Sequence, residues 1–295
     1  MSRGSAALAV EGNGALLYTG DAAMRPLEDP LAAAQPAATA RRVACRVAGG
    51  DVDEIEPEVV REALLVVRIL DGGDFSLMHT PGDEEELALG FLLAEGWIER
   101  RDDVASLELC EGGDTIKVRL ARPPAKPAAE RTLILHPSCG LCGREDAVPF
   151  LAALEPVPTG ARFPLGALLG LTDRLRAHQQ LFAATGGSHA TGLFDAAGRF
   201  LAVGEDIGRH AAFDKMVGRA MQAGIDTGGL GAALSGRSSL EMVAKAARAR
   251  LALVVAVGAP SSAAVDLAER LGIGLAGFAR GDALTLYAAR HRVAL

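Results

Sequence analysis

LALVVAVGAPSSAAVDLAERL, residues 251–271, decides the fold class of this chain. Residues 251–257 form a short apolar run rich in branched side chains, the pattern of a buried strand. Gly258, Ala259, Pro260, Ser261 and Ser262 then turn the chain, and a helix over 261–271 follows. The same strand, turn and helix grammar recurs around it. Strands are predicted at 190–194, 200–203, 231–234, 273–278 and 284–287, and helices at 165–180, 209–223 and 239–249. Such alternation implies an α/β layered core, a sheet with helices on both faces.

The first half reads differently. Residues 1–44 are rich in Ala, Pro and Gly without sustained period and read as a flexible extension. Two β-rich segments, 63–70 and 75–79, flank Asp71, Gly72, Gly73 and Asp74, which is hairpin punctuation. Thr80, Pro81, Gly82 and Asp83 then cap a helix that opens with Glu84, Glu85 and Glu86, where acids suit the dipole. Leu87, Phe91 and Leu92 share one face of that helix, and Gly96 ends it. A second hairpin is expected over 104–110 and 115–120, with Cys110 as a strand residue. Three prolines within 121–127 mark a boundary. The expected organisation is an extension (1–44), a smaller N-terminal α+β lobe (45–122), a Pro-rich linker (123–130) and an α/β domain (131–295).

Composition narrows the function. The 295 residues are 49% hydrophobic and carry a net charge of −7, so a large core is available and a basic, phosphate-tracking surface is not. No nucleic-acid partner is expected. No apolar run reaches the length of a membrane span and no convincing signal core opens the chain, so the expectation is a cytoplasmic protein with no membrane contact. In a reducing compartment its four cysteines read as thiols.

Two of those thiols stand together in Ser138-Cys139-Gly140-Leu141-Cys142-Gly143. Close thiols can attack a disulfide or persulfide, share a proton, or bind a soft metal, and the flanking glycines keep sulfur approachable. Two other readings stand beside sulfur chemistry. A zinc-stapled binding module would recruit Cys45, Cys110 or a histidine, although a second Cys-x-x-Cys pair is absent. A thioredoxin-like dithiol oxidoreductase would place the pair at a helix start, which Gly143 and Pro149 disfavour. Three further motifs fail on context. The glycine pattern at 272–277 follows a helix and enters a strand, the reverse of a dinucleotide fingerprint. No Walker loop is present, and no histidine opens the His-x-Glu of a zinc deaminase.

Small and polar residues cluster at the strand ends. Gly186, Gly187 and His189 precede one strand, while Asp206, Arg209 and His210, then Ser235, Gly236 and Arg237, lead from strands into helices. Crevices at strand ends bind ligands in open α/β sheets, helix N-termini offer N–H groups to anions, and arginine adds bidentate donors. A large anionic ligand is the expectation. Each histidine either titrates there or closes a local network, and Asp206 either caps the helix near Gly208 or accepts from a ligand.

SCGLCG, TGGSHATGLF, GEDIGRHAAFDKMVG, SGRSSLEMVAKAARA and GFARGDALTLY, with TPGDEEELALGFLLAEG in the first lobe, resemble in order the formate dehydrogenase accessory protein family, FdhD. The resemblance runs from about Arg61 to the C-terminus. It implies a cytidine-deaminase-like α/β core and a homodimeric cytoplasmic sulfurtransferase. Such a protein takes sulfur from a cysteine desulfurase and passes it to the molybdenum bis-guanine-dinucleotide cofactor that formate dehydrogenase, the client, receives. It also implies that Cys139 carries the persulfide with Cys142 as the second cysteine of the pair, which either lowers the thiolate pKa by hydrogen bonding or resolves the persulfide as an internal disulfide once sulfur has left. The implied cofactor-contacting segment is Phe278, Ala279, Arg280, Gly281, Asp282 and Ala283, where guanosine diphosphate would serve as a mimic. This chain departs from the pattern there, with Asp282 in place of Gly and Ala283 in place of Arg or another polar residue.

Overall fold

A computed structural model describes residues 8–10, 16–18, 38–48, 51–122, 133–135, 147–157 and 160–295. Strand pairing begins inside the stretch read as an extension. β1 (Leu8–Val10) pairs antiparallel with β2 (Leu16–Tyr18), β3 (Thr39–Arg41) with β6 (Glu58–Val60), and β4 (Ala44–Ala48) with β5 (Asp51–Ile55). Cys45 stands exposed on β4.

The Asp-Gly-Gly-Asp turn makes its hairpin. β7 (Ala63–Ile69) and β8 (Gly73–His79) pair antiparallel, and the turn uses left-handed backbone at Asp71 and Gly73. α1 (Glu84–Ala94) follows, then the antiparallel pair β9 (Val104–Leu109) and β10 (Thr115–Leu120). Cys110 lies one residue past β9, where its N–H donates to Thr115 O, so it opens the turn and is not a strand residue. β11 (Leu133–Leu135) adds in parallel to β8, completing a five-stranded sheet in the order β11-β8-β7-β10-β9. β11, although it lies beyond the proline-rich stretch, therefore belongs to the first sheet. Past the prolines the chain returns to cover the open edge of β8, and the boundary at 123–130 does not part the two sheets.

α1 departs from its one-faced pattern, because every residue from Leu87 to Ala94 is buried. Asp83 sits before it in left-handed backbone and its side chain makes no cap bond. That carboxylate instead meets Arg219, 2.8 Å away, while Glu84 Oε1 accepts from Gly82 N at 2.6 Å.

The second half runs α2 (Ala147–Ala152), β12 (Phe163–Pro164), α3 (Leu165–Leu168), α4 (Leu171–Ala177), α5 (Gln180–Thr185), β13 (His189–Phe194) and β14 (Phe200–Asp206). It continues with α6 (Arg209–Gln222), β15 (Gly231–Leu234), α7 (Leu240–Arg248), β16 (Leu253–Ala256), α8 (Ser262–Leu271), β17 (Gly274–Arg280), β18 (Ala283–Ala288) and β19 (Val293–Ala294). The helix predicted over 165–180 is divided into α3 and α4, since Leu169 turns extended and Gly170 takes a φ of 65°, and α5 begins only at Gln180. Six strands form a mixed sheet in the order β14-β13-β15-β16-β17-β18, with β15, β16 and β17 parallel and the rest antiparallel to their neighbours.

Period-two alternation sends side chains to both faces of this sheet. Leu193, Leu234, Val254 and Leu275 meet Phe213 and Met216 of α6, Val243 of α7 and Leu267 of α8. Phe194, Ala233, Val255 and Ala276 meet Leu168 of α3 and Leu171 and Leu175 of α4. The core is thus a mixed α/β sandwich with helices on both faces, and the first layer is continuous with Leu65, Val67 and Ile116 of the smaller sheet. Continuity runs through α1 against α6, where glycine permits backbone contact. A Cβ on Gly90 would collide with the carbonyl of Asp214, and one on Gly218 with that of Glu86. Among the described residues no helix is long and apolar enough to cross a membrane.

Candidate functional site at the sheet edge

Strand direction assembles the site. Because β15, β16 and β17 run parallel while β13 and β18 run against them, one edge gathers the C-terminal ends of the first three, the start of β13 and the start of β18. That edge brings together His189, Asp206, Ser235, Gly236, Arg237, Gly258 and residues 278–283. Backbone bonds knit neighbouring loops: Gly258 N donates to Gly236 O at 3.0 Å and Phe278 N to Gly258 O at 3.2 Å. Ser235 Oγ accepts from Ala190 N at 2.8 Å and lies 3.4 Å from His189 Nδ1. Glycine is required at 258, where a Cβ would stand 2.8 Å from Arg237 Cγ.

The outer surface of this edge is cationic and open. Arg237 and Arg280 are exposed and make no ion pair with another described residue. Gly186 and Gly281 have left-handed backbone with nothing within 4 Å of where a Cβ would point, so their chain is approachable. Phe278 is 50% exposed and has a φ of 51°, a conformation that costs a bulky residue about 1–3 kcal/mol. Asp282 and Ala283 are also exposed, and Ala279 between them and the core is buried. The contact segment implied by the resemblance is therefore a protruding turn with one aromatic, one cation and one anion.

Asp206 points elsewhere. It is fully buried, and its Oδ2 accepts from Thr80 N at 2.9 Å and Lys215 Nζ at 2.8 Å while Oδ1 accepts from Gly208 N at 2.9 Å. Lys215 Nζ also donates to Thr80 O at 2.7 Å, and Ile207 N to Thr80 Oγ1 at 3.0 Å. Of the two roles open to Asp206, the structure assigns the local one: it closes the turn into α6 and ties that turn to the end of β8. A buried charge pair of this kind is costly to break, since either partner alone is left uncompensated. Glu205 next to it braces the Gly186–Gly187 loop. Its carboxylate accepts from Leu181 N at 2.9 Å, Phe182 N at 2.7 Å and Ser188 Oγ at 2.6 Å.

Three histidines cluster near these groups, all held toward the neutral form. Burial and then Lys215 lower His79, and burial and then Arg209 lower His189. His210 is pushed down to about 2 by burial, with Lys245, Arg209 and His189 adding repulsion. It remains neutral although Glu241 Oε2 is 3.2 Å from its Nε2, a contact that lacks hydrogen-bond alignment. Behind it, burial raises Asp214 to about 6 against the pull of Lys245, which holds it at 2.5 Å.

A histidine neutral when folded binds a proton below its unfolded pKa near 6.5 only after unfolding, so its contribution is lost as pH falls through that value, by about 1.4 kcal/mol per unit. Asp214 acts oppositely below about 6 and is common to both proteins compared here. Denaturant unfolding at about pH 7 and about pH 5.5 is therefore expected to show wild type losing about 1 kcal/mol more than His210→Gln. Equal losses would mean that His210 protonates within the fold.

Cys139 and Cys142, the expected sulfur-handling pair, lie outside the described residues. Among the described residues no group of three His, Cys, Asp or Glu side chains is arranged to hold a metal. Sequence reading gave no site role to Thr80, Glu205 or Lys215, which brace this edge. Lys215 carried a usable signal, a lysine within a helix whose neighbours Ala211, Ala212, Phe213, Met216 and Val217 are apolar, so that its ammonium needs a buried partner.

Residues 60–294 match the model of the FdhD/NarQ family. The chain is 38% identical over 279 residues to the sulfur carrier protein FdhD of Streptomyces avermitilis, covering 87% of this chain and 96% of that protein. It is 41% identical over 235 residues to the protein of the same name from Mycobacterium tuberculosis, covering 73% and 84%. Among solved structures, a Desulfotalea psychrophila protein described as a formate dehydrogenase accessory protein superposes with a TM-score of 0.72 at 23% identity, covering 87% of this chain and all of that one. With a family match over most of its length and relatives of this identity, the chain belongs to the FdhD/NarQ family.

Proposed function

We propose that this protein carries sulfur as a persulfide on Cys139 and delivers it to the molybdenum bis-guanine-dinucleotide cofactor destined for formate dehydrogenase. The names borne by its relatives support sulfur carriage, and the sheet edge supports the nucleotide-bearing substrate. In loading, the Cys139 thiolate attacks the outer sulfur of a cysteine desulfurase persulfide. A new S–S bond forms, the donor cysteine leaves as thiolate, and no net oxidation occurs. The cofactor is the substrate, and its diphosphate arms suit the open glycine backbone flanked by Arg237 and Arg280, with Phe278 available to a base. Position supports pairing the two functions. β11 ends at Leu135 beside β8, whose next residue Thr80 bonds to Asp206 at the edge. Cys139 follows Leu135 by four residues in the sequence. In this reading Cys142 either tunes the Cys139 thiolate or resolves its persulfide, attacking the inner sulfur so that a Cys139–Cys142 disulfide forms, the S–S bond to the outer sulfur breaks and that sulfur leaves as sulfide, and the working form is a homodimer in the cytoplasm.

The observation that carries this reading is the pair of exposed arginines, without an ion-pair partner among the described residues, on an edge with accessible glycine backbone. Calorimetry with guanosine diphosphate tests it. Arg237→Ala is expected to weaken binding about ten- to hundredfold, the loss of one charged hydrogen bond. Asp282→Gly is expected to tighten it, with the gain shrinking as salt screens the repulsion. Unchanged affinity in Arg237→Ala would remove the phosphate from these loops.

A further inference from the structure

The turn that carries residues 278–283 is not held by its own strands alone. β17 and β18 pair through Gly277 and Thr285, and again at Arg280 with Ala283, with a register shift between the two. Phe278 falls in that gap with its left-handed φ of 51°. Bulky side chains keep such backbone only where the surroundings over-determine it. Here the constraint comes from the first turn of α4, on the sheet face away from α6. Thr172 Oγ1 donates to Ala279 O at 2.6 Å, Gly170 N donates to Gly281 O at 2.6 Å, and Asp173 Oδ2 accepts from Gly281 N at 2.9 Å. All three bonds fall on the turn's backbone. They fix its path from below while Gly258 O accepts from Phe278 N on the other side. Thr172 is buried, so its hydroxyl is committed to this bond; Asp173 is exposed and contributes nothing to the core. An exposed carboxylate spent on one backbone N–H of a strained turn is a restraint on that turn.

We propose that Thr172 and Asp173 are positioning residues for the nucleotide segment: they hold residues 278–283 in the left-handed shape that meets the ligand, without touching ligand themselves. The inference rests on the reading of this edge as a nucleotide site and adds to it that affinity is set from α4. Without the two side chains, Phe278 relaxes toward ordinary backbone and the turn binds as an ensemble of which only a fraction is competent, which lowers apparent affinity by that fraction.

The test is calorimetric titration of the full-length protein with guanosine diphosphate. Asp173→Ala and Thr172→Val are each expected to bind about tenfold more weakly, in proportion to one lost hydrogen bond. Thr172→Ser keeps the hydroxyl and is expected to bind as wild type, and Asp173→Ala is expected to melt as wild type. A background change separates positioning from general loosening. In Phe278→Gly, glycine takes positive φ without strain, so adding Asp173→Ala is expected to cost nothing further. Wild-type binding in both Asp173→Ala and Thr172→Val, with Arg237→Ala still impaired, would overturn the positioning role and leave the nucleotide site standing. The full tenfold loss persisting in the Phe278→Gly background would also overturn it. Failure of wild type to bind the nucleotide at all would overturn both.

Discussion

Cys139→Ala is expected to abolish persulfide loading and to reduce formate dehydrogenase activation in cells to the level of a strain lacking the protein. The two described thiols, Cys45 and Cys110, are badly placed to substitute. Cys45 sits on β4 in a two-stranded pair outside both large sheets. Cys110 follows β9, the strand at the opposite border of the first sheet from β11, which leads to Cys139. A persulfide must reach its acceptor by direct contact, so a thiol on the far border is no replacement. Cys45→Ser and Cys110→Ser are accordingly expected to retain loading and activation. Formate dehydrogenase activity like that of wild type in cells carrying Cys139→Ala would end the sulfur-carrier reading for this residue, and loss of persulfide in either serine variant would point to a multi-cysteine site.

The largest expected effect on stability is at Gly218. Helix propensity alone would favour alanine in the middle of α6 by about 1 kcal/mol. The contact with α1 opposes it, because the new Cβ meets the backbone carbonyl of Glu86, which no rotamer change can clear. Overpacking costs about 1–3 kcal/mol even where side chains can give way, so Gly218→Ala is expected to lose about 3 kcal/mol or more, a large share of ordinary stability. Gly224→Ala is the control. Its φ is 68° with nothing within 4 Å, so only left-handed strain of about 1 kcal/mol applies. Denaturant unfolding of the two variants separates these costs. A Gly218→Ala protein as stable as wild type would mean that the two helices sit further apart.

How far the sequence could be read follows from the range of each interaction. Asp71 to Asp74, the α/β alternation, and the glycine, serine and arginine clusters at strand ends were legible because turn geometry, side-chain period and helix-end chemistry act over a few residues. The helix predicted over 165–180 failed locally, since Gly170 looks like any tolerated glycine until its left-handed φ is known. Other misses were matters of partnership. Nothing in Leu87 to Ala94 announces burial on every side, which arises only once α6 closes over α1. Gly90 and Gly218 read as weak helix positions until they are seen to face backbone across that crossing. β11 offers three apolar residues, enough to mark a strand and too few to say whose edge it joins. Asp206 looked equally suited to a ligand, and only the long-range pairing with Thr80 and Lys215 shows its oxygens occupied. The segment Phe278 to Ala283, which the resemblance implied as a cofactor contact, forms a protruding turn, and the α4 residues bonded to its backbone are far from it in sequence and were not legible there.

The central claim is that sulfur resides on Cys139, and mass spectrometry reads it directly. The protein is incubated with a cysteine desulfurase and cysteine, alkylated without reductant, digested and mapped. The account predicts a gain of about 32 Da, roughly one sulfur atom, on the peptide containing Cys139, reversed by reductant and absent without cysteine. An unmodified Cys139 peptide with the added mass on Cys45 or Cys110 would contradict it, as would an unmodified Cys139 and Cys142 pair holding stoichiometric zinc.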